Sequence, residues 1–264
     1  MKRDYEKRLE LLNIFNKLEE LKPQINTNVE NPEKIIVFII QEIEKKLKQL
    51  NFDPGKLELS HDYGHMVYDT KTAILLMSDP VTKSLVTAPD LIIGCVGGSK
   101  HDELGLILNL DKGFCKKTLG FTPVARYKEA NKILGHAETG AIFAGELLRD
   151  ISLKSFGLHE TTETYIKLGI QYSIATHTNY KQRTVGKYVL EPYPDLWSNG
   201  APIWFVMIVR YCDRADLIGP HYAFRHFSTL WARIHKHLTT VRGVRQFRNI
   251  SMGESMIVGG GEND

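Results

Sequence analysis

Residues 89–104 read PDLIIGCVGGSKHDEL, an apolar helical stretch that carries a His101–Asp102 pair near its end. Outward from it the chain keeps reading as helix. Upstream, Tyr5, Leu9, Leu12, Phe15 and Leu18 recur three or four residues apart with Glu and Lys between them, the period of an amphipathic helix over Tyr5–Leu21 that Pro23 terminates. Asn31 as cap and Pro32 at the first position open a second helix through Ile36, Ile39, Ile40, Ile43 and Leu47. Asn51–Gly55, NFDPG, is a turn signal. Further helical stretches cover Tyr63–Met77, His136–Leu148, Glu160–Thr176, Pro202–Leu217 and Tyr222–Leu238. Strand-like alternation is nearly absent, so the expected fold class is all-α.

Between Asp111 and Gly135, and between Asn179 and Asn199, periodicity gives way to Gly, Pro, Lys and Tyr. Two long loops are expected there, and long loops in a compact domain tend to carry function. The expected organisation is a set of N-terminal helices over residues 1–55, a helical domain over 56–250 on which they pack, and a glycine-rich, frayed tail over 251–264.

Composition narrows the class. The 264 residues are 42% hydrophobic and 25% charged, enough for a core without covalent staples. Aliphatic and aromatic runs such as Ile35–Ile40 are far short of the ~20 residues that cross a bilayer. Three cysteines without CxxC spacing argue against a disulfide framework or a thiolate zinc site. With no apolar leader at the N-terminus, a cytoplasmic address is expected. A net charge of +3 is too small to imply nucleic acid by itself.

Histidines and aspartates mark six positions on or beside different helices: His65 in SHDYGHMVYD, His101 and Asp102 in GGSKHDELGL, His136 in LGHAETGAIFAGELL, His177 in GIQYSIATHTNY and Asp213 in MIVRYCDRADLIGP. The intervals of 36, 34, 41 and 36 residues each suit one helical hairpin, so the six could converge in a bundle core. Imidazole nitrogen and carboxylate oxygen suit first-row dications. Six such groups exceed what one ion with open positions needs, and a carboxylate such as Asp102 can bridge a pair of ions. Gly97 and Gly98, just ahead of the pair, allow either a close backbone approach to a metal pocket or tight helix packing.

The order H, HD, H, H, D resembles the HD-domain metal-dependent hydrolase superfamily. HDYGH is similar to that family's opening HDxxH segment, KHDELG to its HD doublet, GHAETGAIFAGELL to its H-x-E-x-G helix and VRYCDRAD to its closing helix. The likeness covers His61 to Asp216. It implies an HD-domain-like helical bundle with additional N-terminal helices and a buried dinuclear centre. Position by position, His65, His101, Asp102 and Asp213 would hold one ion, and Asp102 would bridge to a second held by His136 and His177. The ions would be divalent transition metals drawn from Mn, Fe, Co, Ni or Zn. One departure stands out: many two-metal members carry a lysine four residues beyond the doublet's histidine, where this chain has Gly105 followed by Leu106.

Charge supplies the substrate argument. Lys112, Lys116, Lys117, Arg126, Lys128 and Lys132 face a single acid, Glu129, in the first loop, and from Thr178 to Leu190 Lys181, Arg183 and Lys187 face none. These cationic segments adjoin His136 and His177, where they would hold phosphoryl oxygens, with Arg126, Lys128 and Arg183 as the candidate catalytic contacts beside Asp102. The expected function is a metal-dependent phosphohydrolase acting on a small phosphorylated substrate, such as a nucleotide or cyclic nucleotide. Two alternatives use the same residues: a diiron oxygenase resembling inositol oxygenase, and a nuclease on single-stranded nucleic acid, the latter disfavoured by a pI of 8.6. The N-terminal helices are open to shielding the pocket or mediating a homodimer, and no membrane partner is expected.

Overall fold

A computed structural model of the protein describes residues 1–51, 63–106, 110–122, 126–178, 182–194, 197–198 and 201–215. The fold is all-α, with α1 (Lys2–Leu21), α2 (Pro32–Gln49), α3 (Tyr63–Ser78), α4 (Pro80–Leu85), α5 (Ala88–Gly105), a single turn α6 (Lys112–Phe114), α7 (His136–Leu148), α8 (Glu160–Thr176) and α9 (Trp204–Ala215). Residues 1–216 form one compact unit and 217–264 a second. The latter lies outside the described residues, and with it the expected helix over Tyr222–Leu238 and the tail. Among the described residues no helix is long and apolar enough to cross a membrane.

The stretch 89–104 forms the central helix, α5. The side chain of Thr87 caps it by accepting from the Asp90 amide, and every residue from Pro89 to Gly105 is buried. It packs against α2, α3, α7, α8 and α9. Its glycines make that possible: a Cβ at Gly98 would come within 2.7 Å of Cys212 Sγ on α9, and one at Gly94 within 2.7 Å of Ile208 Cβ. A Cβ at Gly97 would meet Ser173 Oγ on α8 at 2.3 Å. Tight helix packing, the second of the two readings of Gly97 and Gly98, is the role the structure assigns them.

The N-terminal helices belong to the same core, with a correction to their faces. In α1 the buried seam is Leu11, Ile14 and Leu18 with Arg8, while Leu9 is exposed. The expected stripe of Tyr5, Leu9, Leu12, Phe15 and Leu18 was displaced by about one position, because Leu11 and Ile14 satisfy the helical period equally well. Helix α2 buries Ile35, Ile36, Ile39, Ile43 and Leu47 as its sequence suggests, with Ile40 only partly covered. Asn31 precedes it in the left-handed conformation, φ 50°, and its side chain makes no capping hydrogen bond.

Neither expected long loop is structureless. The first contains α6, a π-helical turn Cys115–Leu119 and a 3₁₀ stretch Arg126–Asn131. The second contains an antiparallel hairpin of β1 (Arg183–Val185) and β2 (Tyr188–Leu190), and a further two-residue pair, β3 (Trp197–Ser198) with β4 (Ala201–Pro202), follows. In the first hairpin Gly186, φ 59°, takes the first place of a two-residue turn, where positive φ favours glycine. Val185 and Leu190 bury themselves against Ile133, with Tyr5 and Tyr188 packed beside them. Three-residue strands are too short for their alternation to show in sequence.

Candidate metal centre

Five helices bring histidines and carboxylates to one buried place. His101 and Asp102 sit in the last turn of α5, His136 is the first residue of α7, His177 follows the end of α8, Asp213 lies on α9, and Asp69 lies on α3. Helix ends suit this use, since their unsatisfied backbone groups can fix a ring's orientation. His101 Nδ1 donates to the Gly98 carbonyl at 2.9 Å and His177 Nδ1 to the Ile174 carbonyl at 2.6 Å. His136 Nδ1 donates to Glu129 Oε1 at 2.5 Å, and the same oxygen accepts the His136 amide at 2.9 Å. Carbonyls and carboxylates only accept, so in each neutral ring the proton is on Nδ1 and Nε2 presents a lone pair.

Those Nε2 atoms face one another and the carboxylates. His101 Nε2 is 3.5 Å from Asp213 Oδ1, 3.6 Å from Asp102 Oδ2 and 4.0 Å from Asp69 Oδ2. On the other side of Asp102, Oδ1 is 3.7 Å from His177 Nε2 and 3.9 Å from His136 Nε2, and those two nitrogens are 3.0 Å apart. Atoms that share a transition-metal ion at ~2.0–2.2 Å stand roughly 2.8–4.4 Å from each other. Every spacing falls in that window, and His101, Asp102 and His177 each offer a donor within 4.8 Å of the others, close enough to hold a metal ion.

The electrostatics also call for positive charge. Burial disfavours the His101 imidazolium, but Asp102, a hydrogen bond with Asp213, and Asp69 outweigh it and raise the His101 pKa. Burial would raise Asp213, yet His101 holds its carboxyl below the usual range. His177 is the opposite case: burial, with His101 and His136 beside it, drives its pKa well down, so it is a neutral lone-pair donor. No thiolate competes. Burial pushes the Cys95 thiol up to about 12, and burial, with the nearby Asp69 and Asp213 charges adding to it, holds Cys212 well above its ordinary value.

Of the six expected ligands, the structure brings His101, Asp102, His136, His177 and Asp213 together. His65 lies on α3 one turn before Asp69, and its side chain is outside the described residues. The expected phosphate contacts fare differently. Arg183 has another occupation: Nη1 donates to the Glu129 carbonyl at 2.9 Å and Nη2 to the Ile133 carbonyl at 3.0 Å, so the β1 arginine braces the segment that leads to His136. Lys128 is exposed on the 3₁₀ stretch, and the Arg126 side chain is outside the described residues.

The roles of several neighbours went unread in the sequence. Glu129 was counted only as the lone acid of a basic loop; it is the carboxylate that orients His136. Arg210, buried on α9, donates through Nε and Nη2 to the Thr176 carbonyl at 3.1 and 2.9 Å, tying the end of α8 beside His177. Glu138 accepts from the Gly135 amide at 2.9 Å and faces Arg8 of α1 at 3.6 Å, with both side chains buried. Burial still raises the Glu138 pKa despite Arg8. The spacing of Asp69, four residues beyond His65 and so on the same helical face, is the one signal that could have found a further carboxylate.

In comparisons with known proteins, no family model, no curated protein and no solved structure matched this chain.

Proposed function

We propose that the protein is a metal-dependent phosphohydrolase with a dinuclear centre that acts on a small phosphorylated substrate. The observation that carries this reading is the division of Asp102: Oδ2 addresses His101, while Oδ1 addresses His136 and His177. One ion would be held by His65, His101, Asp102 and Asp213, and the other by Asp102, His136 and His177, as the HD-domain resemblance implies. Such a pair supplies a water that ionises near neutral pH and offsets charge on phosphoryl oxygens.

The chain's own groups prepare that chemistry. The Gly98 and Ile174 carbonyls and Glu129 retain the Nδ1 protons, so each imidazole offers Nε2. Near-complete burial of His101, Asp102, His136 and His177 keeps bulk water from competing for the donors. The exposed Lys112, Lys116, Lys117, Lys128 and Lys132 precede His136 and favour an anionic substrate. Arg126 and Lys128 remain the proposed phosphate contacts of this segment.

The test is to load purified, full-length protein with Mn²⁺ or Fe²⁺ and assay phosphate release from nucleotides, cyclic nucleotides and sugar phosphates. Release from at least one of these by the wild type, and none by Asp102→Ala, is the expected result. Metal-loaded wild type that consumes O₂ and releases no phosphate overturns the hydrolase.

A further inference from the structure

Asp69 stands in the middle of α3, where a carboxylate cannot cap a helix, and aspartate is a poor helix former there. Its side chain is 2% exposed. Burying a carboxylate is costly unless positive charge meets it. The charge it addresses is at His101: Asp69 Oδ2 lies 4.0 Å from Nε2, on the same nitrogen that Asp102 and Asp213 approach at 3.6 and 3.5 Å. Three carboxylates that converge on one imidazole nitrogen repel one another. All three oxygens stand from the nitrogen at a separation that suits ligands of a common ion at ~2.0–2.2 Å.

We propose that Asp69 is a direct metal ligand, adding a third carboxylate to the His101, Asp102 and Asp213 half of the centre and biasing that half towards Mn²⁺ or Fe²⁺ over Zn²⁺. The inference rests on the metal-centre reading above and extends its donor set. The bias follows from donor type: oxygen-rich sets with higher coordination numbers suit the harder ions, and four-coordinate nitrogen and sulfur sets suit zinc.

The experiment titrates metal-free, full-length protein with Mn²⁺ alone by calorimetry and records the thermal midpoint of the metal-free form. Wild type should take up two equivalents. Asp69→Asn, which keeps the shape and removes the charge, should lose at least tenfold in affinity for one equivalent and leave the other unchanged. Asp69→Glu, which keeps a carboxylate, should retain more of that affinity. Metal-free Asp69→Asn should melt higher than metal-free wild type, because a repulsive charge has gone. Affinity within twofold of wild type at both equivalents overturns the ligand role, and so does a metal-free Asp69→Asn that melts lower or does not fold, the signature of a structural carboxylate. Wild type that binds no Mn²⁺ sinks the metal centre itself, which separates the two failures.

Discussion

The central helix carries a buried aspartate at each end, and the two are unlike. Near the N-terminus of α5, Asp90 meets donors: the Tyr165 hydroxyl donates to Oδ1 at 3.0 Å, and Thr87 hydrogen-bonds beside it. Twelve residues on, or roughly 18 Å along the axis, Asp102 meets the rings of His101, His136 and His177, with two further carboxylates around His101. Burial is the same in kind at both ends. What separates a structural carboxylate from a candidate functional one is the company it keeps. Hydroxyls meet Asp90, whereas the groups around Asp102 would become mutually compatible if a cation joined them.

The largest break in that comparison is expected from the C-terminal end, where Asp102→Ala should strip both metal equivalents as well as turnover. Next comes the neighbour that aims a ligand. Glu129→Gln removes the negative charge behind His136 and should weaken metal binding by about 10–100-fold, the usual cost of losing such a partner. Calorimetric titration with Mn²⁺ checks it, and unchanged affinity would show that the 2.5 Å contact is incidental to the centre. Packing between the two ends is tested by Gly98→Ala, whose added methyl collides with Cys212 on α9. It should destabilise by about 1–3 kcal/mol in denaturant unfolding, as overpacking of a filled core does.

The smallest effect belongs to Asp90. Burial is the largest influence on its carboxyl and raises its pKa, against the lowering by Thr87 and Tyr165. A raised folded-state value means that the stability tied to its protonation is fully present below the unfolded pKa of 3.8 and is lost as pH rises through the folded value. Asp90→Asn should therefore melt slightly above wild type at pH 7, and the gap should close as pH falls towards 4. It should leave metal uptake untouched, and reduced uptake would erase the contrast between the two ends of α5.

Much of this was legible in sequence. Helices α2, α5, α7 and α8 follow from apolar period, caps and length, because those are local properties. The donors His101, Asp102, His136, His177 and Asp213 were legible as a set through their order and helical-hairpin spacing. The hairpin over 183–190 was not, since three-residue strands leave almost no periodic trace. The partners of the donors were hidden for a different reason. Glu129 looked like a stray acid among lysines, and Arg183 looked like a phosphate contact, until the hairpin carried the arginine onto the Glu129 and Ile133 carbonyls.

The sequence by itself determined the helices and the residue types that can chelate, because periodicity, capping and donor chemistry are written within a few positions of each other. Only the tertiary structure decided that five helices bring those donors within about 4 Å of their neighbours, that Asp69 joins them, and that Arg183 and Arg210 hold the backbone beside His136 and His177. The physical reason is range. A distance between side chains tens of residues apart depends on how the helices pack, and on α5 that packing turns on glycines whose missing methyl groups let α8 and α9 come close.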